Sequence, residues 1–204
     1  MLTLDHLAVV AATLDDGAEH VRSRLGVIVA GGGKHPHMGT HNRLIGMGDL
    51  YLEVIAIDCD AMRPVWPRWF DLDNFAGMPR LANWVVRCDD IDRELRASPA
   101  GAGAAVSLAR GDYRWRMAIP PNGQLPFEGA FPALIEWQGH AHPTQALPDS
   151  GLRLRRLEIA HPEAVALRAM MAARLTDQRV VIVVGDAVAM RATFDGPAGT
   201  RVLE

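Results

Sequence analysis

Short apolar stretches alternate with polar or glycine-containing breaks along the chain, and their spacing changes in an order that recurs. Leu2 to Val10 is an apolar run that predicts a strand. Thr13-Leu14-Asp15-Asp16 follows, with side-chain oxygens able to cap the free N–H groups of a helix start. Ala18, Val21 and Leu25, spaced by three and four, carry that helix to about Leu25, and Gly26 is a natural terminator. Val27 to Ala30 reads as the next strand, and Gly31-Gly32-Gly33 is expected to bend or interrupt it. Asn42 to Met47 and Leu50 to Ile57, separated by the Gly48-Asp49 turn, complete a β-α-β-β-β order.

The order then recurs. Leu81 to Arg87 predicts a strand, Asp89 to Leu95 a helix with acidic residues in its first turn, and Ala104 to Leu108, Tyr113 to Ile119 and Ala133 to Gln138 three more strands. Leu152 to Ala160, a helix from Glu163 to Leu175 behind Pro162, Val180 to Val184, and a hairpin of Ala187 to Phe194 with Thr200 to Leu203 give a third version. The predicted organisation is a first βαβββ module over 1–58, an aromatic linker over 59–80, a second module over 81–139 and a third, partial module over 152–204. Such repetition implies duplication. The linker, with Trp66, Trp69, Phe70 and Phe75, has enough aromatic weight to pack as a lid.

Composition narrows the function classes. With 49% hydrophobic and 22% charged residues the 204-residue chain can bury a substantial core. A formal charge of −3 gives no electrostatic footprint for nucleic acid. Two isolated cysteines, Cys59 and Cys88, form neither a disulfide framework nor a CxxC site, which favours a reducing, cytoplasmic setting. The N-terminus lacks a basic segment followed by a long apolar one, and no apolar run reaches the ~20 residues that span a bilayer, so membrane association is not expected. Gly31-Gly32-Gly33-Lys34 lacks the spacing of a phosphate-binding loop, and no GxSxG elbow occurs.

Three strings carry a family resemblance: Leu4-Asp5-His6-Leu7-Ala8-Val9, the run from Gly32 to Arg43, and Leu50-Tyr51-Leu52-Glu53-Val54-Ile55. Together they resemble the glyoxalase-like domain of the vicinal-oxygen-chelate superfamily. The resemblance implies an α+β fold in which tandem βαβββ modules form curved mixed sheets around a cavity. It also implies a divalent metal (zinc, nickel, manganese or iron) held from the first and last strands of each module. By that alignment His6 and Glu53 are ligands from the first module. Pairing Leu4-Asp5-His6 with Leu81-Ala82-Asn83 places Asn83 at the third position, and pairing Leu52-Glu53-Val54 with Ile135-Glu136-Trp137 makes Glu136 the fourth. Asparagine is a poor transition-metal ligand, so the alternatives are three protein ligands plus water, another histidine, or no metal.

The residues leave several readings open. His6, expected to share a face with Leu4 and Ala8, is either a metal ligand or a hydrogen-bonded sheet histidine. Glu53 and Glu136 lie in apolar strands, where an unpaired carboxylate is costly, and are read as metal-binding and catalytic or as salt-bridged. Of the cluster His35, His37 and His41, either a metal site or a solvated loop, His41 and its neighbour Asn42 are expected to line the pocket and, with Asn83, to bind substrate. Arg114 and Arg116, sharing a strand face, are expected to clamp an acidic ligand or to be solvated. Trp84 and Trp137 are expected to face the core. Two functions compete: a metal-dependent lyase, isomerase or dioxygenase-type enzyme acting on a small carbonyl or aromatic compound, and a metal-free protein that binds or sequesters a small molecule. A homodimer through sheet edges is expected for either.

Overall fold

The computed structural model describes residues 1–204, apart from the side chain of Ala30. The first module comprises β1 (Thr3–Val10), α1 (Leu14–Leu25), β2 (Ala30–His35), β3 (Thr40–Gly46) and β4 (Tyr51–Ile57). The second comprises β5 (Arg80–Arg87), α2 (Ile91–Arg96), β6 (Ala104–Arg110), β7 (Tyr113–Ile119) and β8 (Ala133–Gln138). A short helix α3 (Pro143–Ala146) leads to a C-terminal unit of β9 (Arg153–His161), α4 (Ala164–Met171), β10 (Val180–Val184), β11 (Ala189–Gly196) and β12 (Gly199–Leu203). Helix α1 starts where Thr13 Oγ1 accepts from Asp16 N–H at 3.1 Å and stops at Gly26, whose φ of 72° is a left-handed cap.

The two modules join through antiparallel β1 and β5 into one mixed sheet in the order β2-β3-β4-β1-β5-β8-β7-β6. Its outermost strands then meet. A side chain on Gly33 of β2 would lie 2.7 Å from Cδ of Arg110 at the end of β6, so the sheet curls almost into a barrel. One face packs with α1 and α2 through Leu7, Val9, Val54, Trp84 and Val86, and the indole N–H of Trp84 donates to the Ala130 carbonyl at 2.9 Å. The other face, with Ala8, Ile55, Val85, Ala133 and Ile135, lines the interior of the curl. The linker closes that interior: its 3-10 helix Trp69–Asn74 buries Trp69, Phe70 and Leu72 there.

The C-terminal unit repeats the element order but not the pairing. Its strands run β10-β9-β11-β12, with β10 parallel to β9, whereas in each preceding module the first strand lies beside the fourth. It covers the helix side: Leu157, Phe194 and Leu203 share the core of Leu7 and Trp84, and Leu2 N–H and Leu81 N–H bond to the Arg174 and Glu204 carbonyls.

Two local expectations change. A register irregularity between Leu4 and His6 makes Asp5 an extra residue in β1, so Leu4 faces the helices with Leu7 and Val9 instead of sharing a face with His6 and Ala8. The glycine stretch is strand, not break: β2 passes through it with a shift between Ala30 and Gly32. Glycine is required there because a Cβ on Gly32 would sit 1.9 Å from the Asn42 carbonyl oxygen, whereas one on Gly31 would meet open space. Gly32→Ala is expected to cost about 1–3 kcal/mol in urea unfolding, and Gly31→Ala to stay within about 0.5 kcal/mol.

Candidate active site

The cavity inside the curl is lined by His6, His35, Asn42, Tyr51, Glu53, Trp69, Phe70, Arg110, Trp115, Met117, Ile135 and Trp137. At about 30 Å³, it has room for water, and a larger ligand requires a wall to give way.

Its polar wall rises from Asp5, which is fully buried. Asp5 Oδ1 bonds to His6 Nδ1 at 2.7 Å, and Oδ2 accepts from Trp137 Nε1 and His142 Nε2, both at 3.0 Å. Burial alone would push this carboxyl up, but the hydrogen bonds and charges of His142 and His6 outweigh it and hold the group well below the usual carboxylate range. An ionised Asp5 fixes the proton of His6 on Nδ1. Nε2 is thereby presented to the cavity, 3.6 Å from Glu53 Oε2, with the ring stacked on Tyr51 at 4.3 Å. Burial and the Asp5 and Glu53 charges push the Tyr51 phenol up, so it keeps its proton.

Glu53 is held from its other side. Its Oε1 accepts from Asn42 Nδ2 at 2.6 Å. Asn42 Oδ1 in turn accepts from Gly33 N–H at 2.9 Å and from Arg110 at 2.8 Å. The same Arg110 nitrogen donates to His35 Nε2 at 3.1 Å, and His35 Nδ1 lies 3.1 Å from Thr40 Oγ1. Burial, then the Arg110 charge, pushes the His35 imidazole down to about 3, so it is a neutral acceptor. Trp69 Nε1–H is buried with no hydrogen-bond partner among the described residues.

The sequence-predicted residues do not all gather here. His6, Glu53 and Asn42 do. Glu136 lies on the opposite face of β8, where it accepts from Ile91 N–H at the start of α2 at 2.7 Å and sits 3.6 Å from Arg116, so the expected convergence of His6, Glu53 and Glu136 does not occur. Arg114 and Arg116 share a face as expected, but the outer one, Arg116 pairing with Asp92 of α2 and Arg114 with the hairpin backbone. His41, one residue from Asn42, faces away from the cavity beside Arg43 and Asp58. His37 stacks on Trp66, so the three histidines do not form a cluster. Trp84 is in the core as expected, whereas Trp137 lines the cavity. Asn83 lines a different cavity.

Strand register explains the slip. In the first module His6 pairs with Tyr51, and Ala8 with Glu53; in the second, Val85 pairs with Ala133, and Arg87 with Ile135. Val85 and Ile135 therefore hold the places of His6 and Glu53, two residues from Asn83 and one from Glu136. A one-residue error in a strand moves a side chain to the other face. Sequence reasoning missed Asp5, Tyr51, Arg110 and His142, and had Trp69 only as one of the lid aromatics of the linker. Only period-two spacing offered a signal, Tyr51 from Glu53 and Arg110 from Leu108.

Comparison with known proteins agrees with this architecture. The sequence model of the glyoxalase-like domain matches residues 4–175. The chain belongs to that family, within the vicinal-oxygen-chelate superfamily. Its fold is similar to that of a hypothetical protein from Staphylococcus aureus, at 13% identity over 92% of this chain and 88% of that one, with a TM-score of 0.61. Looser similarity extends to methylmalonyl-CoA epimerase from Mycobacterium tuberculosis (18% identity, 68% of this chain and 88% of that chain, TM-score 0.43). The Streptomyces coelicolor epimerase is comparable (15%, 69% and 100%, TM-score 0.44). No curated protein matches by sequence. No helix among the described residues is long and apolar enough to cross a membrane.

Members of the superfamily commonly use a divalent metal, but the donors in this glyoxalase-like cavity do not fit one. His6 Nε2 and Glu53 are two donors, and the third such group on the wall, His35, has its Nε2 engaged by Arg110. The corresponding places in the second module carry aliphatic Val85 and Ile135, and Arg110 puts a positive charge beside the two donors. Metal sites of this class need three or more protein ligands.

The buried His35 gives a pH signature. From its ordinary value of 6.5 down to about 3, the unfolded chain takes up a proton that the folded one refuses, so stability falls with pH by on the order of 1 kcal/mol per unit. Asp5, held low in the fold, adds its own loss only below 3.8. His35→Gln is expected to flatten the urea-midpoint profile between about pH 6.5 and 4 and to leave the steeper loss below it.

Proposed function

We propose that the cavity is the active site of a proton-transfer enzyme, of isomerase or lyase type, acting on a small carbonyl compound without a resident divalent metal. The observation that carries this is the chain Asp5–His6–Glu53, in which a buried carboxylate orients an imidazole whose free nitrogen faces a second carboxylate at 3.6 Å. With a carbon–hydrogen bond next to the carbonyl placed against the pair, Glu53 takes the proton as a base and, now protonated, returns that same proton to the enolate, on the original or the neighbouring carbon. His6 Nε2 lies beside it to share the proton meanwhile. The enolate oxygen so formed needs donors, and Arg110 and the unpartnered Trp69 N–H stand on the cavity wall to supply them. Asn42 fixes the Glu53 carboxylate, and Asp5 fixes the His6 tautomer. The apolar wall of Trp115, Met117 and Ile135 receives the rest of the molecule and excludes water.

Deuterium exchange tests this reading. The protein is incubated in D₂O and EDTA with a panel of small 2-hydroxy and 2-substituted carbonyl compounds, and NMR follows the α-proton. Exchange is expected for at least one compound, slowed by about 100-fold or more in His6→Ala and Glu53→Gln. Glu136→Gln is expected to leave the rate within about twofold while costing less than about 1 kcal/mol, from the negative charge removed at the start of α2 and beside Arg116. Saturable binding without exchange would instead make this a sequestering protein, and exchange abolished by EDTA and restored by added metal would restore the metal-dependent reading.

A further inference from the structure

A second cavity, of about 400 Å³, lies on the far side of Phe70, between the start of β5, the segment Gln124–Gly129, the Val188–Met190 stretch of the C-terminal unit and Glu204. We propose that it is a second ligand site, for a small organic ammonium ion with an apolar body. Asn83 lines it at 4% exposure, and its side-chain oxygen has no hydrogen-bond partner among the described residues. A buried amide carbonyl is costly to leave unpaired, and here it stands in the wall of a cavity large enough to admit a donor.

Charge selects the kind of donor. Asp71, Glu128 and Glu204 line the cavity against the single guanidinium of Arg80. Glu204 is paired with Arg191 at 2.9 Å, and Arg80 lies over the Phe75 ring and donates to the Ala76 carbonyl. Asp71 accepts only from the neutral Asn74 amide among the described residues, and Glu128 makes no ion pair there. Excess negative charge thus surrounds an unmet acceptor, while Phe70, Leu81, Leu125 and Met190 supply apolar surface. An ammonium head with a short hydrocarbon tail matches both. The site does not depend on the chemistry of the first cavity.

Calorimetric titration of the full chain with hexylammonium, hexanoate and hexanol is the test. Hexylammonium is expected to bind at one site at least about tenfold tighter than either analogue. Asn83→Leu is expected to weaken it by about tenfold or more, and the exposed Glu128→Gln by about threefold. His6→Ala is expected to change nothing, which separates this site from the first cavity. No saturable binding of hexylammonium, equal binding of hexanoate, or unchanged affinity in both Asn83→Leu and Glu128→Gln would overturn the proposal. If Asn83→Leu does not fold, Asn83→Asp takes its place, and tighter binding of the cation is the supporting result.

Discussion

A carboxylate cannot remain ionised inside a protein unless donors surround it, and Asp5 imposes that condition on this fold. Its partners come from four places: His6 beside it on β1, Trp137 on β8 of the other module, His142 at the start of α3, and the Arg87 guanidinium of β5 at 3.6 Å. Satisfying one buried charge ties the two halves of the large sheet to the connection that leads into the C-terminal unit. It also sets the His6 tautomer. The irregularity in β1 that inserts Asp5 lets adjacent residues serve the relay together, the carboxylate behind and the imidazole in the cavity.

Much of the architecture was legible because it depends on periodicity. The strands over Tyr113–Ile119, Ala133–Gln138 and Val180–Val184 have the predicted bounds, and Thr13 and Gly26 bracket α1 as read. What failed was the frame within a strand. The β1 irregularity and the offset between Asn83 and Val85 leave no mark on composition, yet they decide which side chains enter the cavity. Gly31-Gly32-Gly33 illustrates the other difficulty: the residues that mark a break in an isolated chain here allow close strand approach.

The site was legible only where one module built it. His6, Asn42 and Glu53 belong to a single βαβββ unit. Arg110 and Trp137 arrive from the second module through curling of the sheet, and Trp69 from the linker. Their positions follow from tertiary closure, for which local sequence carries no signal. Glu136 shows the converse: its place in an apolar strand suggested a functional carboxylate, and its partner is a backbone N–H of the first turn of α2, which has no partner within the helix.

Duplication usually leaves two equivalent half-sites facing each other across a pseudo-twofold axis. Here the equivalence has been lost, since Val85 and Ile135 stand opposite His6 and Glu53. The carboxylate and imidazole on the wall come from the first module, whereas the second contributes hydrocarbon at the equivalent places and a single charge, that of Arg110. A guest therefore meets a chamber whose two halves are chemically unlike, so its two ways of lying in it are not equivalent. Handedness of recognition is built into the protein by the erosion of its own internal symmetry.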